Sequence, residues 1–243
     1  MVIANKWVLN ATPSTPLFFL WTQLFLAVVL FIIAAFLRLL PSSVTLSSTS
    51  MATSKALLPQ ILFNTLSLVS STVTLRYVDA SFYQVARGLL LPFTVLTSLV
   101  FLNSRPSLSI LSSCTVITLG FFIGVLLDGT SISTTGVWWG VLSSLLSSIH
   151  SVVIKRSLSV PGIGGSAVLL AWYTNLGSAV MLLPIIILVG EGPGVFALLF
   201  GGQQGSGSPL TTFVWGSLIT VRDAVFPLVL GYLNCKKRVP SAS

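Results

Sequence analysis

The chain has 243 residues, of which 54% are hydrophobic and only 7% are charged, and its mean hydropathy is +1.00. A soluble domain normally carries about a quarter charged residues, so this composition excludes a water-facing surface over most of the chain. The formal net charge of +8 could suggest nucleic acid, but the basic residues are scattered between long apolar runs. We therefore predict an all-α, polytopic membrane protein with no nucleic-acid partner.

The apolar runs predict six membrane-spanning helices, since a bilayer core requires about 17–25 apolar residues per helix. In chain order they cover residues 17–37, 57–75, 82–102, 109–127, 137–154 and 168–189. A weaker run follows at 211–233, and residues 1–10 are expected to be the end of a further helix whose start is missing. Residues 201–209, rich in Gly and Ser, are expected to form a flexible connector.

Charged residues between the runs predict the orientation. Eight of the twelve Lys and Arg fall on one side when the spans alternate: Arg38, Lys55, Arg105, Lys155, Arg156, Lys236, Lys237 and Arg238. Asp79, Asp128 and Glu191 fall on the other side. Because positive residues mark the cytoplasmic side, the carboxyl-terminal tail is predicted to be cytoplasmic.

Arg87 stands about five residues inside the third predicted span, which corresponds to a depth of roughly 7 Å. An arginine at the centre of a membrane helix costs about 2.5–3.5 kcal/mol, and less near the end. Two interpretations stay open. Arg87 either reaches back to the lipid headgroups, or faces the interior of the bundle and binds an anion, because a guanidinium matches phosphate through two hydrogen bonds.

Three segments carry a family resemblance. They are YVDASFYQVARGLLLPFTVLTSLVF, NKWVLN followed by TPLFFLWTQL, and AWYTNLGSAVMLLPIIILVGE. The first, with the pattern YV-x3-FY-x3-R, resembles the junction of helices three and four in nucleotide-sugar transporters of the drug/metabolite transporter superfamily, above all the Golgi GDP-fucose type. The second is similar to that family's first-helix end and second-helix start, and the third to its seventh helix. The resemblance covers residues 1 to about 220.

The seventh helix of GDP-sugar transporters carries a Phe-Tyr-Asn-Asn motif that contributes to nucleotide recognition. This chain has Trp172, Tyr173, Thr174 and Asn175 in that place. It therefore keeps the second and fourth residues of the motif and an aromatic residue at the first. Thr174 departs from the motif, which puts a strict preference for GDP in doubt.

The resemblance implies exchange of a cytosolic nucleotide sugar for a lumenal nucleoside monophosphate across the Golgi membrane, with the endoplasmic reticulum as a second choice. It implies no cofactor and leaves a homodimer open. By position in the family's motifs, the expected substrate-binding residues are Tyr83, Arg87, Tyr173, Asn175 and Lys155, with Asn5, Lys6 and Gln23 as weaker candidates. For Lys155, the alternative role of a cytoplasmic topology anchor is the simpler one.

Members of the family have ten helices in two structurally related halves. We expect residues 1–127 to form the first half with a clipped first helix, 137–220 to form part of the second half, and 221–243 to be a tail outside the family. The chain would then hold about seven to eight helices of a ten-helix inverted-repeat fold.

Two further functions stay open besides nucleotide-sugar exchange. One is transport of triose phosphate or another phosphorylated sugar by a member of the same superfamily. The other is a non-transporting membrane protein that associates with a full-length relative. An intramembrane enzyme is disfavoured, because one histidine, four acidic residues and no H-E-x-x-H motif leave no metal site and no acid–base pair.

Overall fold

A computed structural model describes residues 2–36, 51–102, 106–127, 134–160, 162–200, 211 and 213–219. These ranges hold α1 (Val2–Ala11), α2 (Pro16–Phe36), α3 (Met51–Tyr77), α4 (Ala80–Gly88), α5 (Leu90–Leu102), α6 (Leu108–Leu127), α7 (Thr134–Ser157), α8 (Ala167–Val189) and α9 (Gly192–Phe200). No strand occurs in the described ranges, so the all-α prediction is confirmed.

Six helical segments are long and apolar enough to cross a membrane. They are Pro16–Phe36, Thr53–Tyr77, Ala80–Phe101, Leu108–Val125, Thr134–Ser157 and Ala167–Val189. Each overlaps one of the six predicted spans, which are thereby confirmed. Of the weaker run at 211–233, only 211 and 213–219 are described, and they are helical. The predicted connector 201–209 and the predicted tail 221–243 lie outside the described residues.

The third span consists of two helices rather than the one that was predicted. α4 ends at Gly88, and the turn at Leu89 donates its N–H to the carbonyl of Ala86 at 3.2 Å. Pro92 lies in the first turn of α5 and has no N–H with which to bond the carbonyl of Gly88. α4 and α5 therefore meet at Leu89, whose backbone stays in the right-handed helical region, and residues 80–101 form one candidate span.

α3 is the central helix, since it packs against α1, α2, α4, α7 and α8. Its two ends lie in different apolar clusters. Leu75 belongs to a cluster that includes Val8, Phe19 and Tyr83, whereas Leu57 belongs to a cluster with Ile163 and Leu170. The length of helix between Leu57 and Leu75 is about 27 Å, which is close to the thickness of a bilayer core.

The described residues used for the orientation, namely Asp79, Glu191, Lys55, Lys155 and Arg156, lie at two opposite ends of the bundle. Asp79 and Glu191 are at the end of the bundle where α3 terminates, and Arg76 joins them there. Lys55 lies in the first turns of α3, at the opposite end, where the last turn of α7 carries Lys155 and Arg156. The remaining residues used for the orientation, namely Arg38, Arg105, Asp128 and Lys236 to Arg238, lie outside the described residues.

Candidate functional site

Tyr83 and Arg87 form a pair on one side of α4. The Tyr83 ring is 6% exposed and packs in the cluster that contains Val8 of α1. Arg87 is exposed, and its guanidinium carbon lies 5.7 Å from the centre of the Tyr83 ring. Val85 lies on roughly the opposite side of the helix, where it faces Gly124 of α6. Arg87 is thus on the side of α4 opposite Val85, and α6, which Val85 faces, is the least buried of the six candidate spans.

The backbone beside Arg87 is fixed by α7. Ser144 of α7 donates its hydroxyl to the carbonyl of Ala86 at 2.8 Å. Gly140, one turn earlier, lies so close to α4 that an added Cβ would be 3.2 Å from the Cβ of Ala86. Among the described residues, Arg87 itself has only the cation–π contact with Tyr83, so its guanidinium donors are free to bind an anion.

The seventh-helix motif lies on α8, with its side chains divided between two neighbours. Trp172 packs edge-on against Phe31 of α2, with ring centres 6.1 Å apart. Tyr173 is half-buried against the apolar cluster at the start of α3. Thr174 is buried and donates its hydroxyl to the carbonyl of Leu170 at 2.7 Å. The hydroxyl of Thr174 is therefore used by a hydrogen bond within α8. Asn175, which is half-buried, carries the only side-chain amide of the motif.

The two pairs of candidate residues do not meet. Tyr83 packs with the end of α3 at Leu75, whereas Tyr173 packs with its beginning near Leu57. The two pairs are therefore nearer to opposite ends of α3. An elongated ligand could reach both pairs, whereas a compact one could contact only one of them.

The basic residues at the end of α7 have different surroundings. Lys155 is exposed, which suits both of its predicted roles. Arg156, beside it, donates to the carbonyl of Phe101 at 2.6 Å and stacks on that residue's ring at 6.0 Å. Arg156 thereby caps the end of α5, an interaction that the sequence did not indicate.

The three weaker candidates lie close to the first helix. Gln23 of α2 donates its amide to Oδ1 of Asn5 at 3.2 Å. Lys6 donates to the carbonyls of Leu75 and Val78 at 2.9 and 2.8 Å. The ammonium group of Lys6 thus provides a hydrogen-bond donor for carbonyl groups at the carboxyl-terminal end of α3. This end of a helix dipole attracts cations.

Two polar contacts between distant helices were not predicted from the sequence. Gln60 of α3 lies 2.8 Å from His150 of α7, and Glu191 accepts hydrogen bonds from the backbone of Leu17 and Phe18 in α2. In the sequence, these residues stood out only as isolated polar residues in apolar runs. Their hydrogen-bond partners could not be predicted, because the partners depend on which helix faces meet.

A cavity of about 440 Å³ lies between α5 and α6. Its lining is almost entirely apolar and comprises Pro92, Val95, Leu96, Leu99, Pro106, Leu111, Cys114, Thr115, Thr118, Leu119 and Phe122. None of the candidate binding residues lines it. A phosphate-bearing ligand requires cations or hydrogen-bond donors, so this cavity does not suit such a ligand.

Comparison with known proteins gives a family match over most of the chain. Residues 1–221 match the family described as the Triose-phosphate Transporter family. The chain is 33% identical over 201 residues to "GDP-fucose transporter, Golgi" of Drosophila melanogaster, an alignment that covers 78% of this chain and 58% of that protein.

Two further relatives extend the same comparison. "GDP-fucose transporter 1" of Monosiga brevicollis is 32% identical over 214 residues, covering 81% of this chain and 60% of that protein. "GDP-fucose transporter 1" of Nematostella vectensis is 30% identical over 245 residues, covering 96% of this chain and 68% of that protein. The chain thus spans about three fifths of the length of the first two relatives.

Proposed function

Because the chain belongs to the triose-phosphate transporter family, we propose that it carries a nucleotide sugar, GDP-fucose first among the candidates, across the Golgi membrane. A nucleoside monophosphate leaves in exchange. The observation that carries this proposal is the similarity to several proteins named GDP-fucose transporter, which extends over most of the chain. The six helical segments able to cross a membrane are consistent with a multi-pass protein, and the Golgi location is proposed from the name of the Drosophila relative.

Arg87 is the residue proposed to bind the diphosphate. Its guanidinium can form two parallel hydrogen bonds with phosphate oxygens, and Tyr83 restricts the orientation from which it does so. The break between α4 and α5 follows directly. Secondary transporters commonly build their substrate sites from interrupted helices, whose exposed end groups contact the substrate. In this proposal, Arg87 holds the phosphates while the site is exposed to either side in turn.

Tyr173 and Asn175 are proposed to bind the other end of the ligand. An aromatic face can stack on a base, and an amide can both donate to and accept from its edge. Their positions toward opposite ends of α3 suit an elongated nucleotide sugar. Lys155 is exposed at the end of α7, which is predicted to be cytoplasmic, and it is proposed to attract the anionic substrate at the entrance. A role in substrate binding stays a prediction for Asn5, Lys6 and Gln23. Formation of a homodimer also stays a prediction.

A second candidate is a small phosphorylated sugar, because the family's description names triose phosphate. Such a ligand would use Arg87 but could not reach Tyr173 and Asn175 at the same time. Thermal-shift measurements on the purified protein, with GDP-, UDP- and CMP-sugars and a triose phosphate, separate the two. We expect GDP-sugars to give the largest stabilisation. Stabilisation by triose phosphate alone would replace the proposal with the second candidate.

A further inference from the structure

The helices α2 and α8 share a sequence pattern. Residues 22–30 read TQLFLAVVL and residues 174–182 read TNLGSAVML, so five of the nine positions are identical and Gln23 corresponds to Asn175. The threonine that opens each segment donates its hydroxyl to the carbonyl four residues earlier, at 2.9 Å in α2 and at 2.7 Å in α8. The two segments therefore form an internal repeat, in which two side-chain amides occupy equivalent positions.

α2 and α8 pack against each other in opposite directions. Nε1 of Trp21 donates to the carbonyl of Ala179 at 3.2 Å, whereas Phe31, later in α2, packs against Trp172, earlier in α8. Inverted repeats of transporters are related by a two-fold axis in the plane of the membrane. Such an axis runs perpendicular to an antiparallel helix pair, so it keeps equivalent residues on the same side of the pair. The two amides of the repeat therefore face the same side.

Gln23 lies between the two groups of candidate binding residues. It follows Phe19 by one turn, and Phe19 belongs to the apolar cluster that contains Tyr83. Asn175 lies opposite the part of α2 at 21–31, because the contacts of α8 on either side of it fall at the two ends of that part. Gln23 is at the end of this part that is nearer Tyr83. Its amide thus stands between the Tyr83 group and the Asn175 group.

The amide of Gln23 has hydrogen-bonding capacity left for a ligand. Gln23 is half-buried, and its Nε2 donates to Oδ1 of Asn5 on α1 at 3.2 Å. Within the described ranges, its Oε1 accepts no hydrogen bond. A side-chain amide has two N–H donors and one accepting oxygen, and a hydroxyl group both donates and accepts. The contact with Asn5 fixes one donor and leaves an acceptor and a second donor, which together suit a hydroxyl-bearing group.

We propose that Gln23, oriented by Asn5, binds the ribose of a nucleotide substrate. The inference rests on the proposed function, in which Arg87 binds phosphate while Tyr173 and Asn175 bind the base. In a nucleotide the ribose joins the phosphate to the base, so its hydroxyl groups fall between these two sets of contacts. Gln23 occupies that intermediate position. The chain thereby recognises the sugar of the nucleotide through α2, and the base through the equivalent position of α8.

Binding of GMP and of 2′,3′-dideoxy-GMP, which lacks both ribose hydroxyls, tests the contact in the full-length chain. We expect the wild type to bind GMP about threefold to tenfold more tightly, the size of one net hydrogen bond. In Gln23→Leu the two ligands should bind equally, and Gln23→Met serves if that variant does not fold. The preference for GMP over CMP should stay as in the wild type, because Gln23 contacts the ribose and not the base. A general disturbance of the site would change both ratios.

Thr22→Val is the matched control. It removes the neighbouring polar group of α2, whose hydroxyl is used within the helix, so the ratio of GMP to dideoxy-GMP affinity should not change. A wild-type ratio in the Gln23 variant, or an altered preference for the base, would overturn the ribose contact. If GMP still binds and Arg87→Ala weakens it, that result leaves the proposed function in place. Absence of nucleotide binding to the wild type would overturn the proposed function and the ribose contact together.

Discussion

Arg87 is exposed, yet the ring of Tyr83 determines where its guanidinium lies. The sequence predicted the residue and its depth in the span. The contact with Tyr83 was also within reach, because residues four apart lie on the same face of a helix. By contrast, the pairing of Gln60 with His150 requires knowledge of which faces of α3 and α7 meet. No periodicity in the two strongly apolar runs carries that information.

Replacing Arg87 by alanine should weaken nucleotide-sugar binding by more than about tenfold, because a hydrogen-bonded charge on phosphate is lost. Arg87→Lys should lie between the wild type and the alanine variant, since an ammonium keeps the charge but not the two parallel bonds. Binding is measured by calorimetry on purified protein. Arg76→Ala, which removes another exposed arginine, is the control. Equal affinities of wild type and Arg87→Ala would return Arg87 to the role of reaching the lipid headgroups.

At the scale of the helices, Glu191 connects two elements that are distant in the sequence. Its two carboxylate oxygens accept the N–H groups of Leu17 and Phe18 at 3.0 and 2.9 Å. These groups lie in the first turn of α2, where a helix has no internal acceptors for its N–H groups. Glu191 is 5% exposed and follows Gly190, which ends α8 with a φ of 78°. The loop after α8 is thereby fixed to the start of α2.

Glu191→Ala should lower the free energy of unfolding by about 1–3 kcal/mol, because two buried N–H groups lose their acceptor. The change is measured as a decrease in the thermal midpoint in detergent. Asp79→Ala is the matched control, since Asp79 precedes α4 at the same end of the bundle but its side chain makes no capping hydrogen bond. Equal decreases in the two variants would show that Glu191 does not stabilise α2.

Burial raises the pKa of the Glu191 carboxyl above its ordinary value of 4.5, and outweighs the lowering by the N–H groups of Leu17 and Phe18 and by the charge of Arg76. The folded protein thus holds this proton more tightly than the unfolded chain. The stability contributed by the group is therefore largest below the ordinary pKa, and it declines as the pH rises through the raised value. Thermal midpoints measured across this window should fall more steeply in the wild type than in Glu191→Gln. Parallel slopes would contradict the raised pKa.

Close packing of α3 and α8 depends on Gly177. A Cβ at this position would lie 2.5 Å from Cδ1 and 2.9 Å from Cγ1 of Ile61. Gly177→Ala should therefore separate the two helices and destabilise the protein by about 1–3 kcal/mol, as is typical of overpacked cores. Gly120→Ala, where a Cβ meets nothing within 4 Å, is the control for helix propensity. Thermal unfolding of both variants gives the comparison, and equal midpoints would contradict the predicted clash.

The sequence predicted how many helices can span a membrane and roughly where they lie in the chain. It did not predict where a helix is interrupted within a span. Run length alone fixes how many helices can cross a bilayer, which is why six spans agree with the structure. The break at Leu89 was missed because Gly88 and Pro92 stand inside a continuous apolar run, although both residues disfavour a regular helix. α9 was missed for a different reason. Its GPGVFALLF segment is too short to span a membrane and begins with residues typical of turns.

At the scale of the whole molecule, the candidate residues lie in two groups at different levels of the bundle. Their separation along α3 could not be predicted, because family motifs identify positions in the chain and not distances between helices. The proposed function requires one ligand to contact both groups. A long anionic substrate is therefore the central claim, and the similarity to several proteins named GDP-fucose transporter is its main support.

Uptake of labelled GDP-fucose into proteoliposomes loaded with GMP tests this claim most directly. We expect saturable uptake that depends on internal GMP and is reduced by at least about tenfold in Arg87→Ala. Uptake no greater than that of protein-free liposomes, together with exchange of triose phosphate by the same preparation, would contradict it.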